Sequence, residues 1–319
     1  MKILMVILLI AFTGIFSTAQ GQRLRTYEDY FKRGLLHLQQ NEPDHAIADF
    51  DQAMELMATF SGHSYHAPDS PIKVLDPRAA NILNNRAAAF IHKGFYQEAI
   101  RDLNRALALN PRLAEALHNR ANAYRESGER QKAYADYERS LQLNAHKPEV
   151  WVSRGILKYD QRNFIGAFAD YQRALELAPR YAEAWNARGV IMQELNHPNE
   201  ALSDFNHCLQ LNPRHAGALN NRGNLRKNQG QFQLALEDFN QAIALNPRQS
   251  EVWNNRAILR LMQNDWQGAL ADFTQSIQLK PNTIAYKNRS IVLGHLGKRE
   301  EAEQDLAESK KLEFVKSEF

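Results

Sequence analysis

The feature that most constrains the fold of this 319-residue chain is a set of prolines that recurs every 34 residues. A strict period of this length indicates a repeat architecture, in which each repeat packs mainly on its neighbours. Ala145 occupies the one place of the series that lacks proline. The prolines of the series are Pro77, Pro111, Pro179, Pro213, Pro247 and Pro281.

Each period also holds small and aromatic residues at helical spacing. Leu83, Ala87 and Phe90 fall on one face of a helix, and Ala99, Leu103 and Ala106 do the same on a second helix. Each repeat is therefore predicted to be two short amphipathic helices. The small residues of the first helices are Ala87, Ala121, Gly155, Gly189, Gly223 and Ala257, and the aromatics of the second are Tyr137, Tyr171, Phe205, Phe239 and Phe273.

These marks, together with Trp151, Trp185 and Trp253 four residues before a glycine or alanine, resemble the tetratricopeptide repeat (TPR) family. The resemblance covers Tyr27 to about Leu312. It implies an all-α, right-handed superhelical α-solenoid of about eight helix-turn-helix hairpins. It also implies a non-catalytic scaffold without cofactors, in which the first helices line a concave inner surface.

Repeat boundaries follow from the period, with one interruption. An insertion rich in Ser, His, Pro and Gly separates the first two repeats and contains His63 and His66. Because no third ligand lies near this pair, we expect no metal there. The predicted segments are 1–19 signal peptide, 20–26 short N-terminal segment, 27–58 repeat 1, 59–77 inserted loop, 80–113 repeat 2, 114–147 repeat 3, 148–181 repeat 4, 182–215 repeat 5, 216–249 repeat 6, 250–282 repeat 7, and 283–319 repeat 8 with a C-terminal capping helix.

The N-terminal residues predict export. Lys2 precedes an apolar run, and small residues follow at Ser17 and Ala19, which is the pattern of a secretory signal peptide. The apolar stretch over residues 3–16 is shorter than the roughly 20 residues of a membrane-spanning helix. We therefore expect cleavage after Ala19 and a periplasmic or extracellular protein; an uncleaved anchor is the alternative.

Charge and cysteine content narrow the choice of partner. The formal net charge of +3 disfavours nucleic acid as the main partner. Cys208 is the only cysteine, so no intramolecular disulfide can form. No phosphate-binding glycine loop, nucleophile elbow or HExxH pair occurs in the sequence. We therefore predict neither an enzyme nor a small-molecule site.

Every repeat carries an arginine on its first helix and an aspartate on its second. Both lie beside the apolar stripe of their helices, and we predict that they form structural ion pairs. The period leaves open whether Arg120 pairs with Asp136 of its own repeat or with Asp102 of the repeat before. The series are Arg33, Arg86, Arg120, Arg154, Arg188, Arg222, Arg256 and Arg289, and Asp49, Asp102, Asp136, Asp170, Asp204, Asp238, Asp272 and Asp305.

A second polar series consists of asparagines on the first helices. The resemblance implies that such residues line the inner surface and hold the main chain of an extended peptide, for which amides offer both donors and acceptors. The alternative is that these asparagines are solvated surface residues without a binding role. We expect Asn221 and Asn255 to face solvent. The series is Asn85, Asn119, Asn221, Asn255 and Asn288, with Asn84, Asn122, Asn186, Asn220, Asn224 and Asn254 nearby.

Repeated acids near the same surface favour a basic or polar partner over an acidic one. They are Glu115, Glu149, Glu183 and Glu251. The favoured function is a protein- or peptide-binding scaffold. Two other classes stay open. One is a self-associating assembly factor of the cell envelope that docks through residues 302–319 or the inserted loop. The other, less favoured, is a metal-handling protein that uses His63 and His66.

Overall fold

A computed structural model describes residues 26–60 and 77–317 of the chain. Within these residues it contains sixteen α-helices and no β-strand, which confirms the prediction of an all-α fold of repeated hairpins. The helices pair as eight hairpins, each with an odd-numbered first helix and an even-numbered second helix. They are α1 Tyr27–Gln39 and α2 Pro43–Phe60; α3 Ala79–His92 and α4 Tyr96–Leu109; α5 Ala114–Glu126 and α6 Arg130–Leu143; α7 Pro148–Asp160 and α8 Phe164–Leu177; α9 Ala182–Glu194 and α10 Pro198–Leu211; α11 Ala216–Asn228 and α12 Phe232–Leu245; α13 Ser250–Met262 and α14 Trp266–Leu279; α15 Thr283–His295 and α16 Arg299–Ser317.

Parts of the predicted organisation fall outside the described residues. These parts are the signal peptide over 1–19, most of the segment over 20–26, and residues 61–76 of the inserted loop, including His63 and His66. The second helix of hairpin 1 extends beyond the predicted repeat. Helix α2 continues to Phe60 instead of ending at residue 58, because the first strong helix breaker in this stretch is Gly62.

The chain divides into two compact units, residues 1–145 with hairpins 1 to 3 and residues 146–319 with hairpins 4 to 8. Within each unit the second helix of one hairpin packs on the first helix of the next. Consecutive first helices also contact each other, whereas consecutive second helices of a unit do not contact each other in the described part of the chain. The first helices of each unit therefore lie side by side on one face.

The turn inside every hairpin contains one residue with a left-handed backbone. Four of these residues are glycine, and Asn41, Arg162, Asn196 and Asn264 take the place in the other hairpins, with φ near 60°. Such a residue ends a helix and lets the following amide reach back into the last turn. The Phe95 N–H, for example, donates to the Phe90 carbonyl at 2.8 Å. The glycines are Gly94, Gly128, Gly230 and Gly297.

The recurring proline marks the turn between hairpins. Asn110 precedes it, and the Asn110 side-chain oxygen accepts a hydrogen bond from the Arg112 N–H at 3.2 Å. Asn212 and Asn246 make the same contact with the N–H two residues later, at 3.1 and 3.2 Å. The Asn-Pro-Arg sequence is therefore a self-bonded turn, in which the asparagine side chain accepts the N–H of the residue after the proline.

The core of each hairpin is built from a large side chain against a small one. Phe239 is fully buried, and a Cβ atom added to Gly223 would lie 2.8 Å from its Cε1. Phe205 faces Gly189 and Tyr171 faces Gly155 in the same way, at 2.7 and 2.5 Å. The small residue of the first helix is therefore required by the ring of the same hairpin's second helix, since the ring occupies the space of a side chain.

No helix among residues 26–60 and 77–317 is both long enough and apolar enough to cross a membrane. The single cysteine, Cys208, is buried in the core of hairpin 5, and its burial raises the pKa of the thiol to about 12.

Candidate functional site

Each arginine of the repeated series binds the aspartate of its own hairpin. The guanidinium Nε and Nη2 groups donate to the two carboxylate oxygens at 2.5 to 3.0 Å, which is the bidentate geometry of a strong ion pair. The pairs are Arg33 and Asp49, Arg86 and Asp102, Arg120 and Asp136, Arg154 and Asp170, Arg188 and Asp204, Arg222 and Asp238, Arg256 and Asp272, and Arg289 and Asp305.

The third nitrogen of most of these arginines reaches the preceding hairpin. The Arg222 Nη1 group donates to the Asn206 side-chain oxygen at 2.8 Å, and Arg256 Nη1 donates to Asn240 at 2.6 Å. One arginine therefore joins two helices of its own hairpin to the second helix of the hairpin before. The further acceptors are Asp51 for Arg86, Asn104 for Arg120, Gln172 for Arg188 and Thr274 for Arg289.

The aspartates sit in strongly cationic, water-poor surroundings. Their side chains are at most 10% exposed. In three hairpins a second cation, four residues after the arginine, also binds the carboxylate. These cations are Lys158 at Asp170, Arg226 at Asp238 and Arg260 at Asp272. The hydrogen bonds to aspartate raise the pKa of Arg120 and Arg289.

Aromatic side chains cover the same guanidinium groups. The rings of Trp185 and Trp253 lie 4.6 and 4.9 Å from the central carbons of Arg188 and Arg256, within the range of a cation–π contact. The two indole N–H groups donate to the carbonyls of Pro179 and Pro247 at 2.8 and 2.9 Å. The arginines are thus engaged by carboxylate, amide and ring, and an acidic ligand finds few of their donors available.

The asparagines form a second ladder, which joins consecutive first helices. The Asn221 amide on α11 donates to the Asn186 side-chain oxygen on α9 at 3.0 Å. The Asn255 amide on α13 likewise donates to Asn220 on α11 at 2.9 Å. In hairpins 2 and 3, the Asn119 amide donates to Asn84 at 2.9 Å.

Asn221 and Asn255 face solvent only in part. Both are half-buried, because neighbouring first helices approach closely enough for their amides to meet. Asn85 has no asparagine acceptor on α1 and donates to the Asn81 carbonyl of its own helix at 2.8 Å. Asn254, at the other end, has its buried side-chain oxygen without a hydrogen-bond partner in the described part of the chain.

Three other asparagines of the predicted surface have different roles. The Asn122 side-chain oxygen accepts the Tyr137 hydroxyl at 2.6 Å, so this residue supports the core of hairpin 3. The Asn224 oxygen accepts a hydrogen bond from the Lys227 ammonium at 3.1 Å. Asn288 is half-buried on α15. The repeated acids are exposed: Glu115, Glu149, Glu183 and Glu251.

Two functional features were missed at the level of sequence. The first is the polar residue two places after most of the repeated aspartates, such as Asn206 after Asp204, whose side chain accepts a hydrogen bond from the arginine of the next hairpin. In the sequence this feature is visible as a third polar residue that recurs once in most repeats. The second is a cluster of His37, Glu42 and His45 at the turn of hairpin 1. Its signal was two histidines on either side of a helix break.

Tetratricopeptide repeat family models match most of the hairpins. The matches span residues 30–58, 89–128, 114–146, 182–215, 216–249 and 239–271. The chain belongs to the tetratricopeptide repeat family. Its fold is therefore one that is typical of non-catalytic protein-interaction scaffolds. No curated protein matches the sequence.

Solved structures with this fold include other repeat proteins at low sequence identity. A tetratricopeptide repeat protein from Parabacteroides merdae is 21% identical with a TM-score of 0.61, over 84% of this chain and 98% of that one. A chain of the Cut9–Hcn1 hetero-tetramer of the APC/C is 15% identical with a TM-score of 0.59, over 90% of this chain and 66% of that one. PilW, a type IV pilus biogenesis factor, is 20% identical with a TM-score of 0.56, over 60% of this chain and 90% of that one.

Proposed function

We propose that this TPR protein is an exported scaffold that holds an extended peptide or protein partner on the face formed by its first helices. The observation that carries the proposal is the asparagine ladder of hairpins 5 to 7. There, two bonded amide pairs, Asn186 with Asn221 and Asn220 with Asn255, follow one another across three first helices.

The ladder has hydrogen-bonding capacity to spare. Each pair uses one N–H of the donor and one lone pair of the acceptor, whereas an asparagine amide offers two N–H groups and a carbonyl oxygen. The unused groups suit the alternating donors and acceptors of a peptide main chain. The internal bonds fix the amides before the partner arrives, which lowers the entropy lost on binding.

The charges beside the ladder favour a basic or polar partner. Glu183 on α9 and Glu251 on α13 are exposed in the first turns of their helices. The arginines of the same helices are already bound to aspartate. Lys280 lies 3.9 Å from Glu251, so the preference for a basic or polar partner rests mainly on Glu183.

We expect the double variant Asn221→Ala and Asn255→Ala to weaken partner binding about thirtyfold, because two main-chain hydrogen bonds of about 1 kcal/mol each are lost. The immobilised wild-type chain is used to capture proteins from an envelope extract. The captured protein is then purified, and its affinity for both forms is measured by calorimetry.

The matched control is the double variant Asn206→Ala and Asn240→Ala. It removes two interhelical amide hydrogen bonds from the same region, but those amides lie on second helices and accept from Arg222 and Arg256. Stability should fall similarly in both doubles, while the control keeps wild-type affinity. Equal affinity of all three forms, or capture of nothing beyond what an unrelated helical protein retains, would contradict the proposal.

Self-association is the second candidate function. Large apolar side chains are exposed on the last hairpin, with Ile284 62% and Phe314 65% accessible. A pilus biogenesis factor of the same fold is a precedent for a repeat scaffold in an assembly process. In the capture experiment, this function would return copies of the chain itself in place of a foreign partner.

Export is part of the proposal and rests on the sequence of residues 1–19. We expect the protein isolated from the envelope or the medium to begin at Gln20, as measured by intact mass and N-terminal sequencing. An envelope-bound chain that retains Met1 would mean that the N-terminal segment is an uncleaved anchor. A cytosolic chain that retains Met1 would contradict export.

A further inference from the structure

The turn of hairpin 1 brings three potential metal ligands together. His37 lies in the last turn of α1, Glu42 directly precedes α2, and His45 lies in its first turn. One nitrogen or oxygen atom from each residue lies within 4.8 Å of the other two. The left-handed backbone of Asn41 reverses the chain between them, and the Glu42 N–H closes the turn on the His37 carbonyl at 2.8 Å.

The distances around Glu42 are close to those of a coordination shell. One carboxylate oxygen lies 3.4 Å from His45 Nδ1 and 2.7 Å from His37 Nδ1. Two ligands bound to Zn²⁺ at about 2.0 to 2.1 Å with tetrahedral angles lie roughly 3.3 to 3.4 Å apart. The distance from the Glu42 oxygen to His45 Nδ1 already has this value. The distance from the same oxygen to His37 Nδ1 must lengthen from 2.7 Å to about 3.3 Å when both atoms bind the metal.

A buried carboxylate stands behind the cluster. His37 Nε2 lies 3.7 Å from an Asp49 oxygen, while the opposite ring nitrogen faces Glu42. Asp49 is itself held by two hydrogen bonds from Arg33. Metal-bound histidines commonly have a carboxylate near the second ring nitrogen, which orients the ring and increases its basicity. The arrangement therefore provides a ligand set with a fixed outer partner.

We propose that His37, Glu42 and His45 bind a divalent transition metal, with Zn²⁺ as the favoured ion. Two imidazole nitrogens and one carboxylate oxygen suit zinc, and three protein ligands leave a fourth position for water. The ion would join the end of α1 to the start of α2. The His63 and His66 pair, for which the sequence predicts no metal, supplies none of these three ligands.

The competing explanation is that His37 acts as a cation. In hairpins 4, 6 and 7, the residue at the same place relative to the ladder arginine is Lys158, Arg226 or Arg260, and each binds the aspartate. A protonated His37 between Glu42 and Asp49 would have that role without a metal. It would not, however, need His45, whose ring centroid lies 5.2 Å from that of His37.

The test is a calorimetric titration of the metal-free full chain with zinc. We expect one ion per chain, and a loss of affinity of at least about tenfold in His45→Ala and in Glu42→Gln. His45 has a 71% exposed side chain, so its replacement leaves the fold intact. The control is the double variant His63→Ala and His66→Ala, which should bind as the wild type does.

X-ray absorption at the zinc edge supplies a second measurement and should show two imidazole ligands with oxygen donors. The proposal is overturned if the wild-type chain binds no zinc, if His45→Ala binds as tightly as the wild type, or if only the variant of His63 and His66 loses the ion. If the wild-type chain binds no zinc, His37 belongs to the ion-pair series as a cation. If only the variant of His63 and His66 loses the ion, the zinc site lies in the inserted loop.

Discussion

Replacement of Asp238 by alanine is expected to lower the free energy of unfolding by about 3 to 5 kcal/mol, the usual cost of leaving a buried charge without its partner. The Asp238 carboxylate is 2% exposed and accepts three hydrogen bonds, two from Arg222 and one from Arg226. Both guanidinium groups are less than one fifth exposed. The variant therefore strands two cations that water cannot fully solvate.

Two controls separate this effect from the loss of any acidic side chain. Asp204 binds Arg188, but Met192 takes the place of the second cation, so Asp204→Ala should cost less than Asp238→Ala. Asp44 pairs with Lys93 at the surface, and its replacement should cost at most about 1 kcal/mol. Urea denaturation followed by circular dichroism measures all three. If Asp238→Ala unfolds at the same urea concentration as Asp44→Ala, the buried ion pairs do not stabilise the fold.

The sequence predicted that an arginine and an aspartate pair in each repeat, but it left the partner open. A strict period places Arg120 at a fixed offset both from Asp136 and from Asp102, so periodicity alone cannot choose between them. In the structure the guanidinium binds Asp136, while its third nitrogen bonds to Asn104 of the preceding hairpin. The arginine thus has partners in both repeats, because it offers more donors than one carboxylate can accept.

The asparagine series shows where helix periodicity becomes insufficient. The period places Asn221 on the first helix and away from its own hairpin partner. Whether that side faces solvent depends on how closely α9 and α11 approach, and this distance is set by packing between hairpins. The contact between Asn221 and Asn186 therefore appears only in three dimensions.

The histidine cluster was missed for a related reason. His37 and His45 belong to different helices, so no spacing within one helix connects them. Their approach depends on the left-handed residue of the turn, Asn41. Glycine marks the same place in four other hairpins, and asparagine is its commonest substitute there. Glycine or asparagine at corresponding places would have located seven of the eight hairpin turns in advance, and Arg162 holds the place in the remaining one.

Replacement of Phe205 by alanine is expected to lower the free energy of unfolding by about 3 to 5 kcal/mol, the range for removal of a buried aromatic ring. Phe205 is fully buried and fills the space above Gly189, where a Cβ atom would lie only 2.7 Å from its Cε1. Phe95→Ala is the control, because that ring is 45% exposed. In urea denaturation, the free energy of unfolding of Phe205→Ala should be lower than that of Phe95→Ala by most of this expected loss.

A double-mutant cycle shows whether the ring is the reason for the glycine. Gly189→Ala places a methyl group against Phe205 in the wild type, so we expect a net loss of stability there. In the Phe205→Ala background the ring is absent and the Asp204 Cβ atom, 3.2 Å away, is the remaining close contact, so alanine should instead gain up to about 1 kcal/mol from its higher helix propensity. The same substitution thus changes sign between backgrounds. An equal effect in both would mean that Gly189 is required by something other than the Phe205 ring.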